Sequence, residues 1–577
     1  MSGKIKLTPT QRSAAIDNAG RSMVLRSGAG CGKTFVLARR YVELLRRYRG
    51  PDSPVRRLVA LTFTQKAAME MLQRVRAMLG ELAAGAEGAR KKRLQQWIDE
   101  LPEGRISTTH SFCASLLRSH AVEAGIDPNF AVCADDLLVS QMQQEACDQA
   151  LLAAVEPDQS QVAQLLQAVP YDTVVTLLRE MLDRRELWTA DDYQGADRIM
   201  KNWRGMWHNE QQIAWRRLES DMALAQEVLD ICQEPCSDSK DKLLAKRRKL
   251  AGMVNEILAD PAARTEKNFQ DVHDFKVGAV GAAKAWGSRE AVGDVRRRLN
   301  ALKTEILQYE IYTEEPGEAD SLAAGALTSL ASLAIDAQRR YAADKRRRGL
   351  LDFTDLITAT HQLVQSNPAV RKQLGQQIGQ LLIDECQDTD AFQLETLEKL
   401  VSTGDEQVFI VGDAKQSIYR FRGADVEVFE DLCSRLGEGR SENLDLSFRS
   451  HESGAAFVNH VFTPMMGKTY RPIRAHRKIA PPHPTVEILL ADASGGIETA
   501  ADANEAQAGL TAQRISEMVR NSEPLVWDAQ AGNFRGVEPR DIVILFSRMT
   551  NSLKYERELQ KRDVPYYVVA GIGFFRQ

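Results

Sequence analysis

Met23-Val24-Leu25-Arg26-Ser27-Gly28-Ala29-Gly30-Cys31-Gly32-Lys33-Thr34-Phe35 passes from an apolar run through a glycine-rich loop into a stretch with helical spacing. Glycines belong in such a loop because backbone N–H groups must approach phosphates closely, and a Cβ would block several of them. Lys33 is placed to reach the β- and γ-phosphates of a nucleotide, and the Thr34 hydroxyl to ligate Mg²⁺. Met23-Val24-Leu25 supplies a buried strand. Phe35 to Leu45 has apolar residues at helical intervals, so the loop opens a helix whose N-terminus favours anions. The full phosphate-binding set is therefore Ser27, Gly28, Ala29, Gly30, Cys31, Gly32, Lys33 and Thr34. One position departs from the G-x4-G-K-[ST] pattern: Ser27 stands where glycine is usual. A small residue can still make the turn.

A second stretch carries the complementary chemistry. Leu381-Leu382-Ile383 reads as a buried strand, and Asp384-Glu385-Cys386-Gln387-Asp388 follows at its C-terminal end. Ligands of open α/β sheets bind outside those strand ends. Asp384 is expected to hold Mg²⁺, and Glu385 to orient or deprotonate an attacking water. Paired acids after an apolar run are weak evidence alone. Beside a P-loop they specify a nucleoside-triphosphate site.

Further motifs, in order, resemble the superfamily-one helicases of the UvrD/Rep kind, most closely the motor subunits of the AddA and RecB type. Leu7-Thr8-Pro9-Thr10-Gln11 resembles the segment whose glutamine, here Gln11, reads adenine. Arg40 matches a nucleotide-contacting arginine. Leu61-Thr62-Phe63-Thr64-Gln65-Lys66 and Thr109-His110-Ser111-Phe112 resemble two DNA-contacting motifs, and Asp352-Phe353-Thr354-Asp355-Leu356 resembles a motif preceding the acidic strand. Val411-Gly412-Asp413-Ala414-Lys415-Gln416 through Tyr419-Arg420-Phe421-Arg422-Gly423 is the most specific match. Leu446-Ser447-Phe448-Arg449-Ser450 resembles the arginine-finger motif, and residues 566–575 resemble a further segment. The resemblance implies that Gln416 senses the γ-phosphate, that Arg449 stabilises the transition state, and that Phe448 packs on adenine. It also implies that Phe63, Thr64, His110, Tyr419, Arg420, Phe421 and Arg422 contact DNA. Core packing is the competing reading of Phe63 and Phe112, and a structural hydrogen bond that of His110.

From the resemblance follow an α/β fold and a motor that uses ATP and Mg²⁺. The fold is a RecA-like P-loop domain with a parallel sheet, a large helical insertion, and the first part of a second RecA-like domain. The expected divisions are 1–120, 121–348, 349–446 and 447–577. Expected partners are single-stranded DNA, single-strand/duplex junctions and a second helicase–nuclease subunit. The expected activity is 3′-to-5′ DNA unwinding in repair or recombination. The sequence reads as stopping short of the family's later motifs, so a remnant that binds ATP and DNA without unwinding is the alternative.

Composition sets wider bounds. At 577 residues the chain has room for roughly four domains. Its 75 basic and 79 acidic side chains leave a net charge of −4, which neither supports nor opposes DNA binding, since only the DNA track need be basic. The basic runs at 90–93, 246–249, 296–298 and 345–348 read as solvated helix faces. Eight scattered cysteines, no signal-peptide core and no bilayer-length apolar run point to a cytoplasmic protein without a membrane partner. Between 121 and 348 strand signals vanish, and the stretch around Gly278 to Gly287 reads as flexible. Segments 486–490 and 542–546 read as further strands.

Overall fold

The computed structural model describes residues 7–569, except 51–52, 156–159, 402–407, 421–422, 438, 468–469, 483, 492–498 and 529. Two compact units divide the chain: residues 1–126 with 359–577, and residues 127–358.

A six-stranded parallel sheet organises the first unit. Its strands are β1 (Met23–Ser27), β2 (Leu58–Thr62), β3 (Arg105–Thr108), β4 (Gln380–Ile383), β5 (Val408–Gly412) and β6 (Ser441–Leu444). Their spatial order is β3-β2-β4-β5-β1-β6. Parallel strands need helical crossovers that cover both faces, which is why β1, β2 and β4 are apolar almost throughout. Leu25, Ala60, Leu382, Phe409 and Val411 enter one core with Leu37 and Tyr41 of α1 (Lys33–Arg47) and with Met71 and Val75 of α2 (Gln65–Ala84). The C-terminal ends of β1 and β4 carry the glycine-rich loop and the acidic pair.

After β6, the strand β7 (Leu446–His451) pairs in parallel with β8 (Arg474–Arg477), and Val526–Asp528 forms a hairpin with Asn533–Arg535. Segments 486–490 and 542–546 form no strand, contrary to the sequence expectation. In 542–546 the alternation is real: Ile542 and Ile544 pack on Ala512, Ile515, Leu559 and Val564, while Val543 and Leu545 are 77% and 88% exposed; 486–490 is exposed throughout. A strand also needs a neighbouring backbone to bond, and among the described residues none pairs with either segment.

Among its described residues the second unit is helical, apart from a two-residue parallel pairing of Ala131–Val132 with Leu350–Leu351. The segment around Gly278–Gly287, expected to be flexible, is tethered. Lys246 donates to the carbonyls of Lys276 and Val277 at 2.5 and 2.8 Å, and Arg296 to that of Val280. Asp241 accepts from the Ala282 amide and the Trp286 indole at 2.9 and 3.1 Å. The basic runs supply these bonds, because an irregular segment must find partners for its carbonyls. Lys345, from the run at 345–348, is likewise buried rather than solvated. It joins Arg185 in a cluster with Asp352 and Asp355. Among the described residues no helix is long and apolar enough to cross a membrane.

Candidate nucleotide and nucleic-acid site

The loop after β1 is held in shape by its neighbours. Gly28 N–H donates to the Leu444 carbonyl at 3.0 Å, and Phe448 N–H to that of Gly30 at 2.9 Å. Gly30 and Gly32 have φ of +74° and +86°, the left-handed region that disfavours side chains. At Gly30 a Cβ would also lie 2.6 Å from the Arg449 Cβ and 2.7 Å from the Ser447 Oγ. Ser27 is different. It is the last residue of β1, paired with Leu444, so that position makes no demand for glycine.

Lys33 caps a closed hydrogen-bond ring. Its Nζ donates to Glu385 Oε2 at 2.5 Å and to Gln416 Oε1 at 3.1 Å. Gln416 Nε2 donates to Asp413 Oδ2 at 2.9 Å. Gln387 bridges the other side: its Nε2 donates to Glu385 Oε2 at 2.8 Å, and its Oε1 accepts from Asp413 N–H at 2.9 Å. The loop, the acidic strand end and the turn after β5 that carries Gln416 thus share one network. Glu385 sits at φ +51°, a left-handed position rare outside glycine and concentrated at functional sites.

Thr34 Oγ1 lies 3.4 Å from Asp384 Oδ2. Burial pushes the Asp384 carboxyl up to about 6, and the Glu385 charge beside it adds to the rise. Asp388 is raised to about 6 by the same two causes in the same order. Lys33 lies near enough to favour the Asp384 charge but is paired with Glu385, so Asp384 is a buried, hard oxygen donor that forms no ion pair among the described residues. A divalent cation fits that requirement.

The ring borders a cavity of about 470 Å³ lined by Ala29, Gly30, Gly32, Lys33, Thr34, Phe35, Arg74, Glu385, Gln416, Phe448, Arg449 and Arg477. Ser27, Gly28 and Cys31 complete the loop behind this lining, and burial raises the Cys31 thiol to about 11. Gln11 is buried, with its Nε2 on the Cys31 carbonyl at 3.1 Å and its Oε1 accepting from Thr8 N–H at 3.1 Å. It braces the loop, and these two bonds use one of the amide's N–H groups and one of its lone pairs.

Arg40 requires a correction. Its side chain is fully buried and its guanidinium stacks 4.2 Å from the Phe409 ring centroid. It donates to the carbonyls of Ala14 and Arg21 at 2.7 and 2.5 Å. Arg47, two turns on, donates to those of Ala19 and Ile16 at 2.9 and 2.5 Å. Arg40 is therefore a clamp on segment 14–21 behind Gln11, not a nucleotide contact. Burial, then the nearby Arg47 charge, lower its pKa to about 9.

On the expected DNA side, Phe63 is 38% exposed and its ring meets that of Tyr419 at 4.8 Å. Thr64 caps α2 by accepting from Ala67 N–H at 3.1 Å, so its hydroxyl is partly committed. His110 lies in the first turn of the helix Thr109–Ser119, where burial lowers its pKa and favours the neutral ring. Arg420 is exposed, whereas Phe112 is buried in the core. Phe421 and Arg422 lie outside the described residues, as do 570–575 of the last family-like segment.

The profile of the UvrD/REP helicase N-terminal domain matches residues 7–436. The chain belongs to the UvrD/REP helicase family. It is 27% identical to the A subunit of the ATP-dependent helicase/nuclease of Latilactobacillus sakei, over 99% of this chain and 69% of that protein. The same-named proteins of Listeria welshimeri and Carboxydothermus hydrogenoformans are 27% and 25% identical over 97% of this chain in each case. The chain spans about half the length of those two relatives, 49% and 50%.

Within this helicase chain, motif reading leaves several residues without a role. Gln387 and Asp413 lie inside quoted motifs, but their bridging is visible only once β4 and β5 are adjacent. Arg74 sits on an ordinary amphipathic helix, and Arg477 is the last residue of a polar strand. Neither gives a signal in the sequence.

Proposed function

We propose that this chain is the ATP-hydrolysing motor of a 3′-to-5′ DNA helicase or translocase acting in repair or recombination. The observation that carries the proposal is the Lys33–Glu385–Gln416 ring, which joins the P-loop, a candidate base and a candidate γ-phosphate sensor at one cavity. Thr34 and Asp384 would hold Mg²⁺, which when bound supplies positive charge to the phosphates. Glu385 orients or deprotonates the attacking water, Arg449 places charge on the transferring phosphoryl group, and Phe448 offers its ring to the adenine. Phe63 and Tyr419 offer aromatic faces to single-stranded DNA, in a cytoplasmic enzyme that engages single-strand/duplex junctions. The relatives are named as one lettered component of a helicase/nuclease, which supports a second helicase–nuclease component as partner.

Phosphate release tests the reading, measured with and without single-stranded DNA on the parent chain and on Lys33→Ala. DNA-stimulated release lost in the variant is expected; equal release from both would overturn the proposal. A second reading, ATP and DNA binding without unwinding, is favoured by segments 486–490 and 542–546, whose backbones join no strand ladder among the described residues. A strand-displacement assay separates the two.

A further inference from the structure

Arg477 ends β8 and lines the cavity with Lys33, Arg74, Phe448 and Arg449. The β7–β8 register explains how it comes to the site. Ala475 pairs with Ser447 and Arg477 with His451, so Phe448, Arg449 and Ser450 all stand opposite His476. Such a bulge bends a strand and re-aims its side chains. Here β7 bends to the loop, where Phe448 N–H reaches the Gly30 carbonyl at 2.9 Å. The His476 ring packs on that of Phe448, with centroids 4.8 Å apart and planes at 34°. That contact fixes the end of β8 beside the ring expected to hold the base.

Charge gives the second line of argument. Lys33 is already paired with Glu385. Among the described residues, no ion pair joins Arg74, Arg449 or Arg477 to a carboxylate. An exposed arginine in such a cleft suits an anion, because its planar fork matches phosphate oxygens.

We infer that Arg477 is a contact residue for the nucleotide's phosphates, a second cation supplied by the same bulged strand pair that supplies Arg449. The inference rests on the proposed nucleotide site and extends it. Competition against a fluorescent ATP analogue tests it, using Mg-ATP and adenosine as competitors and the parent, Arg477→Ala and Arg477→Lys proteins. The alanine variant is expected to weaken Mg-ATP about 10- to 100-fold while leaving adenosine unchanged, with lysine intermediate. Mg-ATP affinity equal to the parent's in the alanine variant would overturn the role of Arg477 alone. So would an equal loss for adenosine and Mg-ATP, which would place its effect on the base platform. A parent chain that does not bind the analogue at all would overturn the nucleotide site itself, and Arg477 with it.

Discussion

Glu385→Gln should make this protein bind Mg-ATP more tightly while slowing its hydrolysis. Lys33 Nζ is held by Glu385 Oε2 at 2.5 Å, and the two side chains are 9% and 32% exposed. A phosphate must compete with that carboxylate for the lysine and also approach its negative charge. An ion pair intermediate between exposed and buried is worth about 1–2 kcal/mol. Releasing it gives about a 5- to 30-fold lower Kd. Gln387 and Gln416 remain to orient the substituted amide, and Asp384 is untouched, so the Mg²⁺ donors persist. Losing the general base costs about 10²- to 10⁴-fold in the chemical step. Calorimetric titration with Mg-ATP and single-turnover hydrolysis, both with single-stranded DNA present, give the two numbers. Weaker binding in the variant would refute the competition argument, and hydrolysis at the parent rate would refute the role of Glu385.

Gly30→Ala should abolish Mg-ATP binding, because its Cβ would meet Arg449 and Ser447 at 2.6 and 2.7 Å on a backbone already at φ +74°; an unchanged titration would contradict the packing described. Arg40→Met strands the Ala14 and Arg21 carbonyls and should cost about 1–3 kcal/mol in a denaturant melt, while retaining Mg-ATP binding once folded. Burial opposes ionisation of Asp352, but Arg185 and Lys345 hold its carboxyl well below the usual range. A depressed folded pKa gives stability that is complete above the unfolded value of about 4 and lost as pH falls below it. Asp352→Asn should therefore lower stability at pH 7 and flatten the dependence between about pH 4 and 2; an acid-unfolding curve parallel to the parent's would count against the pairing. Phe63→Ala should weaken single-stranded DNA by about 1–3 kcal/mol in an anisotropy titration, with an unaltered melting curve. A collapsed melt would assign Phe63 to the core instead.

The chain's local chemistry is legible without coordinates. A glycine-rich loop between a strand and a helix has few uses, and an apolar strand ending in Asp384-Glu385 supplies what that loop lacks. The parallel sheet follows, since strands alternating with helices can close no other way as readily. What residue order does not contain is which groups meet. Lys33 and Glu385 are 352 positions apart and Lys33 and Gln416 are 383 apart, and only the adjacency of β4, β5 and β1 makes them partners. Gln387 and Asp413 become a bridge for the same reason. Arg40 misleads because its match to a nucleotide-contacting arginine rests on position in the motif alone. Burial decides otherwise, since a guanidinium with no exposure must spend its donors on nearby carbonyls. In the second unit Lys246, Arg296 and Lys345 mislead in the same way, because charge in a sequence carries no direction, whereas Arg248, Lys249, Arg297 and Arg346 to Arg348 are exposed as a solvated face requires. Segments 486–490 and 542–546 show the converse. Alternation sets which side chains can face a core, but a strand exists only where another backbone lies alongside to bond with it.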